Sequence, residues 1–134
     1  MKEARIVLIE DNPADVLLVK MALKENGVRF SLTEFESGSE AVKVLCSVPP
    51  METGPPDLIL LDLNTPRTDG FEALEKLARC PNLAQVPIAI LTSSKAQRDK
   101  QRAARAGARY IEKPDAQRFL FVGEYSSEGD DRGF

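Results

Sequence analysis

The sequence holds no histidine and no tryptophan, and only two cysteines and two tyrosines among its 134 residues. The missing histidine excludes Ser-His-Asp and Cys-His nucleophilic sites, histidine-ligated zinc and any imidazole general base. Cys46 and Cys80 stand in unrelated contexts, with no CxxC pair and no metal-ligand spacing, and read as buried reduced thiols. No stretch approaches the roughly 18 apolar residues of a membrane span. The opening Met1-Lys2-Glu3-Ala4-Arg5 lacks a signal peptide's apolar segment, so a cytoplasmic location without membrane contact is expected. Basic charge is not in excess: 18 Lys and Arg against 21 Asp and Glu give a net of −3, which argues against direct nucleic-acid binding. What is present, 43% hydrophobic and 29% charged residues, suits one soluble domain with a packed core and leaves no room for a second. Any regulated output is therefore expected on another molecule, and any chemistry must rest on carboxylates, hydroxyls, lysine and the backbone.

Short apolar runs alternate with helical patterns. Arg5 to Ile9 reads as a strand buried on both faces. A helix follows, with Asn12 as N-cap, Pro13 in its first position, Asp15 where a capping-box acid would sit and Gly27 as its stop. Leu18, Val19, Ala22 and Leu23 form its expected inward stripe, with Val16 nearby. Phe30 to Phe35 reads as a strand whose imperfect alternation suits a sheet edge, and Ser37 to Ser47 as a helix. The segment from Val48 to Pro56 holds four of the nine prolines and must be a surface loop. Asp57 to Leu61 is the most apolar strand, Gly70 to Arg79 a helix, and Val86 to Leu91 a fourth strand. A polar helix from Lys95 to Ala106 stops at Gly107; Arg109 to Ile111 is a short fifth strand, and Asp115 to about Glu124 a last helix. The domain is expected over residues 1–125, with 126–134 a frayed, flexible acidic tail. Five strands alternating with helices predict an α/β fold: a doubly wound five-stranded parallel sheet in a three-layer α/β/α sandwich with right-handed crossovers.

In such a sheet ligands bind beyond the carboxyl ends of the strands. After the first strand come Glu10 and Asp11, after the third Asp62, after the fourth Thr92 and Ser93, and after the fifth Lys113-Pro114. Three carboxylates gathered at one edge repel one another unless a cation neutralises them, and oxygen ligands without histidine or thiolate point to Mg²⁺, with Mn²⁺ as a substitute. Lys113 supplies a cation for a phosphoryl oxygen and Thr92 a hydroxyl donor. The sum is a site that accepts a phosphoryl group on Asp62. Taken singly, Thr92 could cap the polar helix, and Glu10 and Asp11 could serve the N-terminus of the first helix.

These residues, in this order, resemble the receiver domain of the response-regulator family from Arg5 to about Val122. The resemblance implies the flavodoxin-like strand order 2-1-3-4-5. It places the family's acid pair on Glu10 and Asp11, its phosphoacceptor on Asp62, its switch hydroxyl on Thr92, its aromatic switch on Tyr110 and its lysine on Lys113. It implies that the backbone carbonyl of Asn64 completes the Mg²⁺ shell and that Lys113-Pro114 is cis. The runs Glu10 to Asp15 and Leu61 to Arg67, with the proline-rich loop, are similar to single-domain regulators that serve phytochrome-type sensor histidine kinases. By that resemblance a kinase phosphohistidine is attacked by Asp62, Thr92 and Tyr110 repack, and the face made by the fourth helix, fifth strand and fifth helix changes. Hydrolysis resets the switch, with Asn64 and Ser94 flanking the site. With no histidine of its own, the chain must take the phosphoryl group from a partner.

On the first helix Leu17 and Met21 lie opposite the core stripe, framed by Lys20 and Lys24, as a kinase-docking patch would. The fourth helix carries Lys95, Arg98, Lys100, Arg102 and Arg105 against Asp99 and is read as a solvated or protein-binding face, self-association into a homodimer included. Phe119 to Val122 is a consecutive apolar run, unlike a usual fifth helix, and Glu124, Glu128, Asp130 and Asp131 make the tail acidic. Two rivals are a haloacid-dehalogenase-type phosphatase, which would want an acid where Asn64 stands, and a phosphate-independent scaffold for protein contacts. The resemblance implies a phosphoacceptor, not a multiple-turnover enzyme.

Overall fold

The computed structural model describes residues 3–47, 54–63, 68–92 and 96–112. Its strands are β1 (Ala4–Ile9), β2 (Phe30–Phe35), β3 (Leu58–Leu63), β4 (Ile88–Thr92) and β5 (Arg109–Glu112). Its helices are α1 (Pro13–Glu25), α2 (Gly38–Leu45), α3 (Thr68–Arg79) and α4 (Gln97–Arg105), with a short 3-10 turn at Pro81–Leu83 that the apolar pattern does not foretell. All strand pairs are parallel and the order is β2-β1-β3-β4-β5. Most boundaries move by one or two residues from those expected. The last helix, the tail, Lys113-Pro114, Asn64, Ser93, Ser94, Lys95 and most of the proline-rich loop lie outside the described residues.

Period-two alternation sends the central strands' side chains to both faces, and each face is covered. Ile6 and Leu8 of β1 and Leu58 and Leu60 of β3 pack with Val16, Val19, Ala22 and Leu23 of α1. Val7, Ile9, Ile59, Leu61 and Ile90 pack on the other face with Ala41, Phe71, Leu74, Leu77 and Ala103, from α2, α3 and α4. β2 lies at the edge as expected: Phe30 and Leu32 are half-buried toward α1, Phe35 is buried on the opposite face, and Glu34 pairs with Lys20 of α1 at 3.1 Å.

Asn12 caps α1 by accepting from the Ala14 amide at 2.9 Å, and Gly27 leaves the helix at φ +73°, a conformation that costs a residue without Cβ little. Two expectations fail. Leu18 is 60% exposed, because the buried arc of α1 runs Val16-Val19-Leu23 and turns Leu18 outward beside Leu17 and Met21. Cys46 and Cys80 are not separate thiols: they form a disulfide with Cα atoms 5.7 Å apart, within the ordinary span of such a bond. The reason is tertiary. Cys46 caps the end of α2 and Cys80 follows the end of α3, and these helices lie side by side on one face. Asn82 reinforces the corner by donating to the Ser47 carbonyl at 2.6 Å.

Candidate functional site

The strand register brings the acids together. β1 and β3 are neighbours, Ile9 facing Leu61, so Glu10 and Asp62 leave adjacent strands at the same carboxyl edge. Alternation along β1 (Ile6, Leu8, Glu10) and β3 (Leu58, Leu60, Asp62) turns both toward the α1 face. Both are buried, at 4% and 6% exposure. Asp15, in the first turn of α1, comes down on them from that face, and one carboxylate oxygen each of Glu10, Asp15 and Asp62 lie within 4.8 Å of one another.

This crowding sets the electrostatics. Burial first, then hydrogen bonding to Asp62, pushes Glu10 up to about 8; the Asn12 amide opposes this by donating to Glu10 Oε2 at 2.8 Å. Asp11 is exposed and also contacts Glu10, adding the smallest upward contribution. The Asn12 bond corrects the expected capping box, in which the Asp15 carboxylate would take that amide. Glu10 takes it instead. Asp15 points instead to the acidic cluster, since its place in the first turn of the helix after β1 aims it at the edge where Glu10 ends its strand.

Thr92 closes β4 at 1% exposure, paired through the backbone register with Leu63 on one side and Glu112 on the other. By alternation from Ile88 and Ile90 it faces the α3 and α4 side. Tyr110 of β5 stands beside Ile90 on that same face, half-buried, with Lys100 Nζ of α4 at 5.9 Å from its ring centre. The hydroxyl and the ring thus share a layer with α4. That helix gives the second core only Ala103, and polar contacts join it to α3. The Arg102 guanidinium donates to both Glu75 oxygens, at 3.0 and 3.1 Å, and lies 5.0 Å from the Phe71 ring centre. Hydrogen bonding to Arg102 holds the Glu75 carboxyl below its ordinary range.

Hard oxygen donors at this spacing suit a divalent cation, which would let Glu10 ionise near neutral pH. Lys113 and Asn64, the remaining expected members, lie outside the described residues. No helix among the described residues is long and apolar enough to cross a membrane.

Residues 6–121 match the response regulator receiver domain. The response regulator Rcp1 of Synechocystis is 39% identical over 90 residues, 66% of this chain and 61% of that protein. The chain thus spans about three fifths of the length of the curated relatives it matches first. The phosphorylated cyanobacterial phytochrome response regulator RcpA superposes with a TM-score of 0.73 at 30% identity, over 92% of this chain and 94% of that one. The Mn²⁺-bound form of Rcp1 superposes with a TM-score of 0.68 at 32% identity, over 89% and 87% of the two chains. With its five parallel strands in the order 2-1-3-4-5 and its carboxylates at their carboxyl edge, the chain belongs to the receiver domain family of two-component response regulators.

Proposed function

We propose that this chain is a phosphoacceptor switch in which the Asp62 carboxylate takes a phosphoryl group from the phosphohistidine of a sensor histidine kinase, of the phytochrome type. The observation that carries this reading is the gathering of Glu10, Asp15 and Asp62 at the carboxyl edge of β1 and β3. An Asp62 oxygen attacks phosphorus in line; the new P–O bond forms as the P–N bond to the donor imidazole breaks, leaving an acyl phosphate. Burial of Asp62 limits competing water at that oxygen.

Glu10, Asp11, Asp62 and the Asn64 carbonyl are the proposed holders of Mg²⁺, with Mn²⁺ as a substitute, and the carboxylate donors suit either ion. The bound ion supplies charge neutralisation at the phosphoryl oxygens. Lys113 is assigned a second positive charge for those oxygens. Thr92 hydrogen-bonds the phosphoryl oxygen, and Tyr110 moves into the space it leaves. Because both lie on the α4 side of the sheet, the switch reads out on the face of α4 and β5, where a protein partner or a second copy docks. The reaction is a single phosphorylation and its hydrolysis in the cytoplasm, within a domain over residues 1–125 followed by an acidic tail at 126–134.

Incubation with acetyl phosphate and Mg²⁺ tests the reading by intact mass. The wild type should gain one phosphoryl group and Asp62→Asn none; an unchanged wild-type mass would favour a scaffold that works without phosphate, and multiple-turnover hydrolysis of small phosphoesters a phosphatase.

A further inference from the structure

Resting on the cation site of that reading, we infer that Asp15 is a positioning residue for the divalent ion: its carboxylate adds charge on the α1 side and accepts hydrogen bonds from ion-bound water. Three observations carry this. One Asp15 carboxylate oxygen lies within 4.8 Å of one oxygen each of buried Glu10 and Asp62, so oxygen donors from a helix and from two strands converge at a spacing that suits a divalent ion. The capping duty that would otherwise explain an acid at this position is filled, since the Asn12 amide donates to Glu10 Oε2 at 2.8 Å while the Asn12 side chain caps Ala14. α1 is fixed over the same sheet face by Val16, Val19 and Leu23, so Asp15 is held at that edge by a packed helix.

Mg²⁺ keeps several waters when protein-bound, and acceptors outside its direct ligands orient them. Glu10 and Asp62 leave from the strands below, whereas Asp15 approaches from the helix above. From there its carboxylate would accept hydrogen bonds from water on the bound ion.

The alternative is that Asp15 is only an acid in the first turn of a helix, stabilising the N-terminal dipole. The two readings predict opposite signs. A dipole acid replaced by Asn lowers the stability of metal-free protein and leaves Mg²⁺ affinity alone; an ion-positioning acid does the reverse, since removing it relieves repulsion and weakens binding.

The experiment titrates Mg²⁺ by calorimetry at one fixed pH into wild type, Asp15→Asn, Asp15→Ser and Asp62→Asn, with urea denaturation of each in chelator. The expected result is a loss of Mg²⁺ affinity of about 10- to 100-fold in both Asp15 variants, with a metal-free urea midpoint equal to or above that of wild type. Wild-type affinity in either Asp15 variant overturns the inference and leaves the proposed function standing. A weakened affinity with a metal-free midpoint lowered in both variants also overturns it. Wild-type protein that binds no Mg²⁺, or binds it no better than Asp62→Asn, overturns the proposed function itself.

Discussion

A carboxylic acid buried beside a second carboxylate keeps its proton to higher pH, and Glu10 is raised in this way from 4.5 to about 8. Between those values folded, metal-free protein holds a proton that the unfolded chain has released. Metal-free stability should therefore fall as pH rises through that window and level off above about 8. Mg²⁺ competes with the same proton, so its affinity should rise by up to about tenfold per pH unit and then plateau. Calorimetric titrations over a pH series check this, and Glu10→Gln should flatten the stability profile. A flat Mg²⁺ affinity in the wild type would mean that Glu10 does not exchange its proton for the ion. Glu10 and Asp62 were legible in the sequence because each follows directly on a run of apolar strand residues, and the end of such a run marks the sheet edge. Asp15 was not. An acid in a helix's first turn also fits a cap, and only the fold shows that Glu10 has taken the amide in question.

At the scale of elements, α2 and α3 come close where Gly38 meets Ala73; a Cβ on Gly38 would overlap that of Ala73. Gly38→Ala should cost about 1–3 kcal/mol by overpacking despite alanine's better helix propensity. Adding Ala73→Gly should recover part of the loss, and urea midpoints of the single and double variants decide it. α4 depends on polar contacts, chiefly the forked bond from Arg102 to Glu75 above Phe71. Arg102→Ala should speed amide exchange in α4 while leaving the strands protected, and Arg102→Lys should not restore it, because an ammonium cannot make the paired bond. Since Glu75 is held below its ordinary pKa, the clamp's contribution is present above pH 4.5 and fades as pH falls through the lowered value. The described strands and α-helices followed from periodicity and punctuation in the sequence. What did not follow was the facing of Leu18 and the pairing of Cys46 with Cys80. Leu17 and Leu18 are both exposed, and their apolar character alone does not show that Val16 and Val19 on either side of them take the inward positions; the disulfide joins helix ends that meet only once both have packed on the sheet.

At the scale of the whole molecule, a parallel sheet concentrates its strand-end chemistry on one edge and leaves its helices to report on it. Glu10, Asp62 and Thr92, from three strands, end at the same edge; the acids face α1, and Thr92 faces α3 and α4 with Tyr110. The strand order came from the family resemblance, because periodicity identifies strands but says nothing of which ones are neighbours. The central claim is that this edge makes Asp62 a phosphoacceptor. Its most direct test is borohydride reduction of protein treated with acetyl phosphate and Mg²⁺, followed by peptide mapping. The account predicts that Asp62, and no other acid, is converted to homoserine by reduction of its acyl phosphate. Reduction at another carboxylate, or at none, would contradict it.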